Sequence, residues 1–431
     1  MAFTARRAAP RRWRKALSAF ALAALFLVLL AIVKWLNART LDLPPSVAML
    51  LVGIAAALIL LAIRPASPHL AGAVLAGVES VDFAKAVLGY LLAFLLFAGA
   101  MQVDLAELRR RLLAVASLAT AGVVVSTFIV GSGLFLAARA LGIALTLPWA
   151  LVFGALISPT DPIAVLATVK RRRLSEALQV VLQGEALLND GVGIVIFSAL
   201  LAYAAGSAPN LSHAVLSVIA QSAGGLALGA AAGFLTLAAL RAVDDSTVAV
   251  SLSLALAMGI YAGARALDVS GPIAVVGAGF SVGSGVGGVR PSDAFLRSFW
   301  RLVDEILNAL LFLLLGLQVI AVRFEWSWAP LCLIALGLVL AARLIVVLPW
   351  GAYFRLREEK RGAGVLLAWG GLHGALSLAL ALSIPAVAAR PLLLEATFIV
   401  ATLSVAIQGL TFPALVRAIH GRASPAPSPE P

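Results

Sequence analysis

An aspartate stands between two prolines in the middle of the apolar interval 147–169: Asp161 lies between Pro159 and Pro162, with Thr160 beside it. Each proline lacks a backbone N–H and clashes with a preceding carbonyl, so the helix must break there. Broken helices in membranes expose carbonyls and helix ends that transporters use as ion ligands. Because an ionised acid inside a bilayer costs about 2.5 kcal/mol or more, Asp161 is a candidate ion ligand. A proline kink with Asp161 as a local cap is the alternative.

The next apolar interval opens with three polar side chains, Glu185, Asn189 and Asp190. Glu185 and Asn189 are four residues apart and share a helix face, while Asp190 points about 100° further round. The glycines at 191 and 193 allow close approach of another helix. We expect a polar pocket inside a helix bundle. The alternative is a helix start at the lipid headgroups, where both acids would contact water.

Two later intervals carry further polar groups at membrane depth. Arg343 interrupts an apolar run; because arginine keeps its proton, it needs a carboxylate such as Glu185, unless it snorkels to the interface. Gly371, His373 and Gly374 lie in a glycine-rich stretch, which weakens a helix by about 1 kcal/mol per glycine. This stretch predicts a second break. A packed, hydrogen-bonded core histidine is the alternative for His373.

Other polar groups give weaker signals. Asp304, Glu305 and Asn308 precede an apolar run, and we expect them at the membrane interface, with a position facing a cytoplasmic funnel as the alternative. The single Cys332 excludes an intrachain disulfide. The sequence has no P-loop, HExxH or GxSxG motif. These observations predict a protein that is not an enzyme and has no cofactor.

The elements that position these residues are membrane helices. Of 431 residues, 62% are hydrophobic and 12% are charged, whereas about 25% of a soluble domain is charged. The apolar runs are continuous, rich in Leu and Ala, and about 20 residues long, which predicts an all-α polytopic membrane protein. The predicted spans are 16–35, 46–63, 84–102, 113–137, 147–169, 184–205, 213–240, 247–265, 271–288, 302–322, 328–350, 363–385 and 392–415.

The basic residues predict the topology. The net charge is +12, but the arginines and lysines lie between apolar runs, which indicates membrane orientation rather than nucleic-acid binding. Basic clusters such as 109–111 and 170–173 fall on the side of the C-terminus, which we place in the cytoplasm. The basic segment 1–15 does not fit this topology, because thirteen spans would place it outside, on the opposite side of the membrane from the C-terminus. The Pro-rich tail 421–431 is predicted to be disordered.

The three polar motifs together resemble the monovalent cation/proton antiporter family that includes bacterial NhaP-type and animal sodium/proton exchangers. The resemblance covers nearly the whole chain. It implies an NhaA-like antiporter fold: about thirteen helices in an inverted six-helix repeat, with two discontinuous crossing helices and a core plus dimerisation helices over 16–420. The three motifs that carry it are Ser158-Pro-Thr-Asp-Pro162, Gly184-Glu-Ala-Leu-Leu-Asn-Asp-Gly191 and Trp369-Gly-Gly-Leu-His-Gly-Ala-Leu-Ser377. The segment Phe312-Leu-Leu-Leu-Gly-Leu317 also looks like the pattern of that family.

The resemblance also implies roles. Asp190 would bind the metal cation or the proton, Asp161 and the backbone around Thr160 would complete the metal site, and Asn189 would position Asp190. A structural ion pair would join Glu185 to Arg343.

The chain departs from the family pattern at two positions. Ala186 stands where the family often has serine, which puts cation selectivity in question. His373 stands where the family usually has arginine, so a permanent charge is replaced by a side chain whose ordinary pKa is near neutrality. We expect altered pH dependence of transport from the second departure.

The expected function is exchange of a monovalent cation, sodium or else lithium or potassium, for protons by alternating access. With Asn189 rather than a second acid beside Asp190, we expect electroneutral exchange. The expected setting is a homodimer in the bacterial inner membrane that serves pH homeostasis. A cation channel is the alternative. An intramembrane aspartyl protease using Asp161 and Asp190 fits poorly, because glycines follow Asp190 instead of preceding it.

Overall fold

The structure is a computed structural model, and it describes residues 19–40, 43–67, 82–162, 165, 175–206, 211–286, 290–357 and 362–420. The predicted basic segment 1–15, the tail 421–431 and the basic cluster 170–173 lie outside the described residues, as does the end of the predicted span 147–169. Every regular element in the described part is helical.

The helices follow one another with short connections. They are α1 Ala19–Arg39, α2 Pro45–Ile63, α3 Phe83–Gln102, α4 Leu105–Arg110, α5 Leu112–Ala140, α6 Leu147–Ile157, α7 Glu176–Ala204, α8 Leu211–Ala242, α9 Ser246–Ala266, α10 Gly271–Gly285, α11 Pro291–Leu317, α12 Ala329–Arg357, α13 Ala363–Trp369, α14 Ala375–Ser383 and α15 Arg390–Ile419.

Membrane-spanning helices dominate the described part of the chain. Nine of its helices are long and apolar enough to cross a bilayer, and two shorter ones, α6 and α10, are also apolar. Large apolar side chains such as Leu113 and Leu235 point outward, each 76% exposed, as expected of lipid-facing positions. The predicted all-α membrane class is confirmed. Each predicted interval contains a helix, but the count of thirteen spans stays a prediction.

Glycines allow the tightest helix contacts. α2 packs on α11, where a Cβ atom on Gly53 would lie 2.4 Å from the carbonyl oxygen of Leu313. The main chains therefore meet directly, which is how helices pack strongly without a hydrophobic driving force in lipid.

Two predicted helix starts are wrong. The span predicted to open at 184 begins at Glu176, so Glu185 lies more than two turns inside α7 and is 2% exposed. The span predicted at 302 begins at Pro291. Its first turns are amphipathic: Leu296 and Trp300 are buried, while Ser298 between them is exposed. The polar face conceals a helix from a search for apolar runs, so Asp304 and Glu305 lie inside α11 rather than at its start.

Two membrane segments are interrupted. α6 ends at Ile157. The residues that follow, Ser158 to Pro162, form no helix. α13 ends at Trp369 and α14 begins at Ala375, with extended backbone at Gly374 between them. Both breaks occur where the sequence predicted them.

Candidate functional site: two crossed helix breaks beside a cavity

The two helix breaks cross each other. The amide N–H of Asp161 donates to the carbonyl oxygen of Leu372 at 2.7 Å. The imidazole Nδ1 of His373 lies 3.3 Å from the carbonyl oxygen of Pro159. A Cβ atom on Gly374 would lie 2.7 Å from Oδ2 of Asp161, so a larger residue there would collide with the acid. Each break therefore supplies hydrogen-bond partners for the other, as unwound backbone inside a membrane requires.

α7 lies against the first break through a glycine and an asparagine. A Cβ atom on Gly193 would lie 2.2 Å from Cγ of Pro159, so only glycine fits. The side chain of Asn189 is 1% exposed, and its Nδ2 donates to Oγ1 of Thr160 at 3.0 Å. Its carboxamide oxygen is buried without a hydrogen-bond partner. Asn189 thus tethers the break at Thr160, the residue before Asp161, and keeps a buried carboxamide oxygen in reserve.

Asp161 and Asp190 line one cavity. Its volume is about 490 Å³, and Pro159, Thr160 and Gly374 also form its wall near the two acids. A negative charge on Asp161 acts unfavourably on a negative charge at Asp190, because like charges repel strongly in a low-dielectric surrounding. A cation or a proton between the acids would relieve this repulsion.

The cavity extends towards one side of the protein. Gln102 and Gln183 line it further from the two acids, and it reaches Glu305, whose side chain is 58% exposed. Gln102 ends α3, shortly before the short helix α4, which carries Arg109 and Arg110. This is the side that the basic residues predict to be cytoplasmic. Further along two of the helices that line the cavity, Phe197 of α7 and Leu380 and Ala381 of α14 belong to a buried apolar cluster.

A second buried acid of α7 has a different partner. Arg343 of α12 forms a two-pronged salt bridge with Glu185, through Nη1 to Oε1 and through Nη2 to Oε2 at 3.0 Å. Nη2 also donates to the carbonyl oxygen of Leu367 at 3.0 Å. The guanidinium lies so close to Gly371 that a Cβ there would be 2.4 Å from Nε. Arg343 therefore neutralises Glu185 and interacts with the C-terminal end of α13.

The support beneath the second break was not predicted from the sequence. α15 contains a π-helical turn at Ser404–Gln408. Oγ of Ser404 accepts the backbone N–H of His373 at 3.2 Å, and Nε2 of Gln408 donates to the carbonyl oxygen of Trp369 at 3.3 Å. π-Turns often occur at functional sites. The polar pair Ser404 and Gln408, four residues apart in an apolar run, was the available signal.

The lining of the cavity also includes residues outside the predicted site. Ala186, one turn before Asp190, faces it and adds no oxygen. Lys34, Asp304 and Asn308 line its outer part. The alternative that α11 residues face a funnel therefore describes their position better than the interface does.

The chain resembles known proteins over nearly its full length. The family described as sodium/hydrogen exchanger, transmembrane, matches residues 25–418. The Na(+)/H(+) antiporter NhaP of Pseudomonas aeruginosa is 36% identical over 409 residues, which cover 93% of this chain and 96% of that protein. The Na(+)/H(+) antiporter NhaH of Halobacillus dabanensis is 31% identical over 389 residues, covering 88% and 93% of the two chains.

A solved structure shares the fold. The sodium proton antiporter MjNhaP1 from Methanocaldococcus jannaschii at pH 8 superimposes with a TM-score of 0.75 at 21% identity, covering 94% of this chain and 99% of that one. The predicted antiporter fold is thereby confirmed as a fold class. The family match spans almost every helix described above, and the chain therefore belongs to the sodium/hydrogen exchanger family.

Proposed function

We propose that this multi-pass plasma-membrane protein exchanges sodium ions for protons. The observation that carries the proposal is the pairing of Asp161 with Asp190 on one cavity wall, while the buried Arg343 is already neutralised by Glu185. Arg343 therefore serves Glu185, and the two acids on the cavity wall are in position to bind mobile cations. The relatives that match over most of their length are named as Na(+)/H(+) antiporters, which agrees with this chemistry.

Asp190 is the residue for which the two ions compete. A carboxylate that holds a proton has lost the charge that attracts a metal ion, so one site accepts either ion but not both. Asp161 supplies a second carboxylate, Thr160 a hydroxyl and backbone carbonyl, and Asn189 a buried amide oxygen. Carboxylate, carbonyl and hydroxyl oxygens are suitable ligands for a hard cation.

Access from one side supports alternating access. The cavity joins the two acids to the side predicted to be cytoplasmic, whereas packed apolar side chains lie further along α7 and α14. In the part of the chain that the structure describes, a cation that enters from the cavity meets these packed side chains, and rearrangement of the helices would let it continue. This geometry favours a transporter over the alternative of a channel, which requires a continuous path.

Electroneutral exchange is the stoichiometry that we propose. Asn189 occupies the position beside Asp190 and donates a hydrogen bond to Thr160. Among the described residues at the crossing, the charge therefore comes from Asp190 and Asp161, and one of them changes its occupant. The sodium-driven pH change in potential-clamped vesicles should not depend on the membrane potential. A rate that follows the potential at constant pH would contradict one-for-one exchange.

The homodimer and the role in pH homeostasis rest on the family resemblance alone. We propose both on that basis. Light scattering of the detergent-purified protein should give twice the mass of one chain after correction for detergent. A monomer at all concentrations would contradict the dimer.

Everted membrane vesicles that hold an acid-inside pH gradient provide the test of exchange. Addition of sodium chloride should dissipate the gradient, as reported by a pH-sensitive dye. Lithium and potassium chlorides, added in parallel, define the selectivity. Asp190→Asn vesicles are the matched control and should not respond. A full response in that variant would overturn the assignment of Asp190.

A further inference from the structure

The outer part of the cavity carries a second set of cation-binding groups. They are Asp304, Glu305 and Asn308, all on α11 and all on the wall of the cavity that reaches Asp190. None of them belongs to the crossed breaks or to α7. The exchange described above does not use them.

Asn308 is the least expected member of this set. It is 5% exposed and lies inside the helix. Its Nδ2 donates to Oδ1 of Asp304 at 2.8 Å, whereas its carboxamide oxygen is buried without a hydrogen-bond partner. Buried carbonyl oxygens nearly always have a partner. An oxygen of this kind, held beside a carboxylate on a cavity wall, is a suitable ligand for a hard cation.

The protein already places one cation at this position. Nζ of Lys34, from α1, lies 3.8 Å from Oε2 of Glu305, and both residues line the cavity. Their side chains are 34% and 58% exposed. A long, solvated ion pair of this type contributes little and exchanges easily. The Lys34 ammonium therefore marks a place where a mobile monovalent cation can bind in its stead.

We propose that Asp304, Glu305 and the amide oxygen of Asn308 form an outer cation subsite, which collects sodium ions from solution and passes them towards Asp161 and Asp190. The ammonium group of Lys34 competes with sodium for this subsite, and the competition keeps sodium bound weakly enough to be released towards Asp161 and Asp190. The transport role of the subsite rests on the proposed function, but its ability to bind a cation does not.

The physical basis is electrostatic. Clefts lined by one sign of charge concentrate the opposite ions, and the effect falls as salt screens it. Two acids on one face of α11 would raise the local sodium concentration at the cavity, whereas the ammonium of Lys34 lowers it. The subsite should therefore change the apparent affinity for sodium much more than the maximal rate.

Transport kinetics in proteoliposomes test this role. Asp304→Asn and Glu305→Gln should each raise the KM for sodium roughly threefold to tenfold at low ionic strength, with less than a twofold fall in maximal rate. Lys34→Gln should lower the KM. Asp268→Asn removes the same charge from an exposed position between α9 and α10, and it should leave the KM unchanged. An unchanged KM in Asp304→Asn, Glu305→Gln and Lys34→Gln would overturn the proposal. A fall in the maximal rate without a change in KM would also overturn it.

Binding can be measured without transport. In purified full-length protein carrying Asp190→Asn, ²³Na line broadening should persist and should disappear when Asp304→Asn and Glu305→Gln are added. Broadening that is absent before these changes, or that survives them, would overturn the subsite. Failure of the proposed function is a separate result: wild-type vesicles would then show no sodium-driven pH change, whatever the binding experiment gives.

Discussion

Glu185 and Asp190 lie on the same helix, five residues apart, and the structure treats them in opposite ways. Glu185 is 2% exposed and is held by both terminal nitrogens of Arg343. Asp190 faces the cavity, and its charged neighbour there is another acid, Asp161. One helix thus carries an acid with a permanent countercharge and an acid that must obtain its countercharge from solution.

The comparison teaches how a membrane protein separates stability from function. A buried charge is tolerated when a partner neutralises it, and the loss of one partner is costly. A buried acid that binds a mobile ion cannot be held tightly by such a partner, because a fixed cation would occupy the place of the ion. Arg343 is not among the residues that line the large cavity; it lines a separate small pocket with Glu185 and His373, and its charge serves Glu185.

The largest expected effect comes from removing each acid in turn. Asp190→Asn should reduce sodium-driven proton movement to that of vesicles without the protein, while the thermal unfolding midpoint stays at or above that of the wild type, because repulsion from Asp161 is removed. Glu185→Gln should have the opposite effect on stability and lower the thermal unfolding midpoint. Vesicle assays and thermal unfolding of purified protein, run on both variants, check the contrast. Equal loss of stability in the two variants would remove the distinction between the acids.

The salt bridge between Glu185 and Arg343 can be broken by removing either charge. Glu185→Gln or Arg343→Gln should each destabilise the protein by about 3–5 kcal/mol, because each leaves one buried charge unpaired. The double variant should lose less than the sum of the two, since no unpaired charge remains.

A double-mutant cycle of unfolding in denaturant measures this coupling. The solvated pair Lys34 and Glu305 is the matched control, and Glu305→Gln should cost less than about 1 kcal/mol. Additive losses for Glu185 and Arg343 would show that their salt bridge does not couple them.

A smaller effect is expected one turn away from Asp190. Ala186 lines the cavity and is 8% exposed. Ala186→Ser adds an oxygen on the face of Asp190 and should lower the KM for sodium roughly twofold to fivefold, from about 0.5–1 kcal/mol of added interaction. Ala186→Gly adds no oxygen and should not lower the KM. Proteoliposome kinetics distinguish the two, and an equal KM for serine and alanine would mean that position 186 does not contact the ion.

The smallest expected effect concerns pH. His373 is 3% exposed, held by Pro159 and Ser404, and shares a small buried cavity with Glu185 and Arg343. His373→Arg introduces a permanent charge and should shift the pH of half-maximal exchange by less than about one unit. His373→Gln, which stays neutral, is the control. An identical pH profile for arginine and histidine would contradict any role of this position in pH dependence.

Much of the architecture followed from elementary properties of the chain. Continuous apolar runs predict membrane helices because a bilayer leaves no other partner for the backbone. The prolines on either side of Asp161 predict a break because proline lacks a backbone donor. The glycines around His373 predict another because glycine weakens a helix. These are local causes, and local sequence is sufficient to express them.

Tertiary structure alone decided which polar groups meet. Glu185, Asn189 and Asp190 look alike in sequence, but their directions on α7 bring one to Arg343, one to Thr160 and one to the cavity. A position of Asp304 and Asn308 on the cavity was only the alternative prediction, for a related reason: the amphipathic start of α11 carries no apolar run. Packing against α2 and α3 places that face of α11 on the cavity. Hydropathy reports how much of a segment is apolar, whereas the direction of each side chain depends on helices that are distant in the chain.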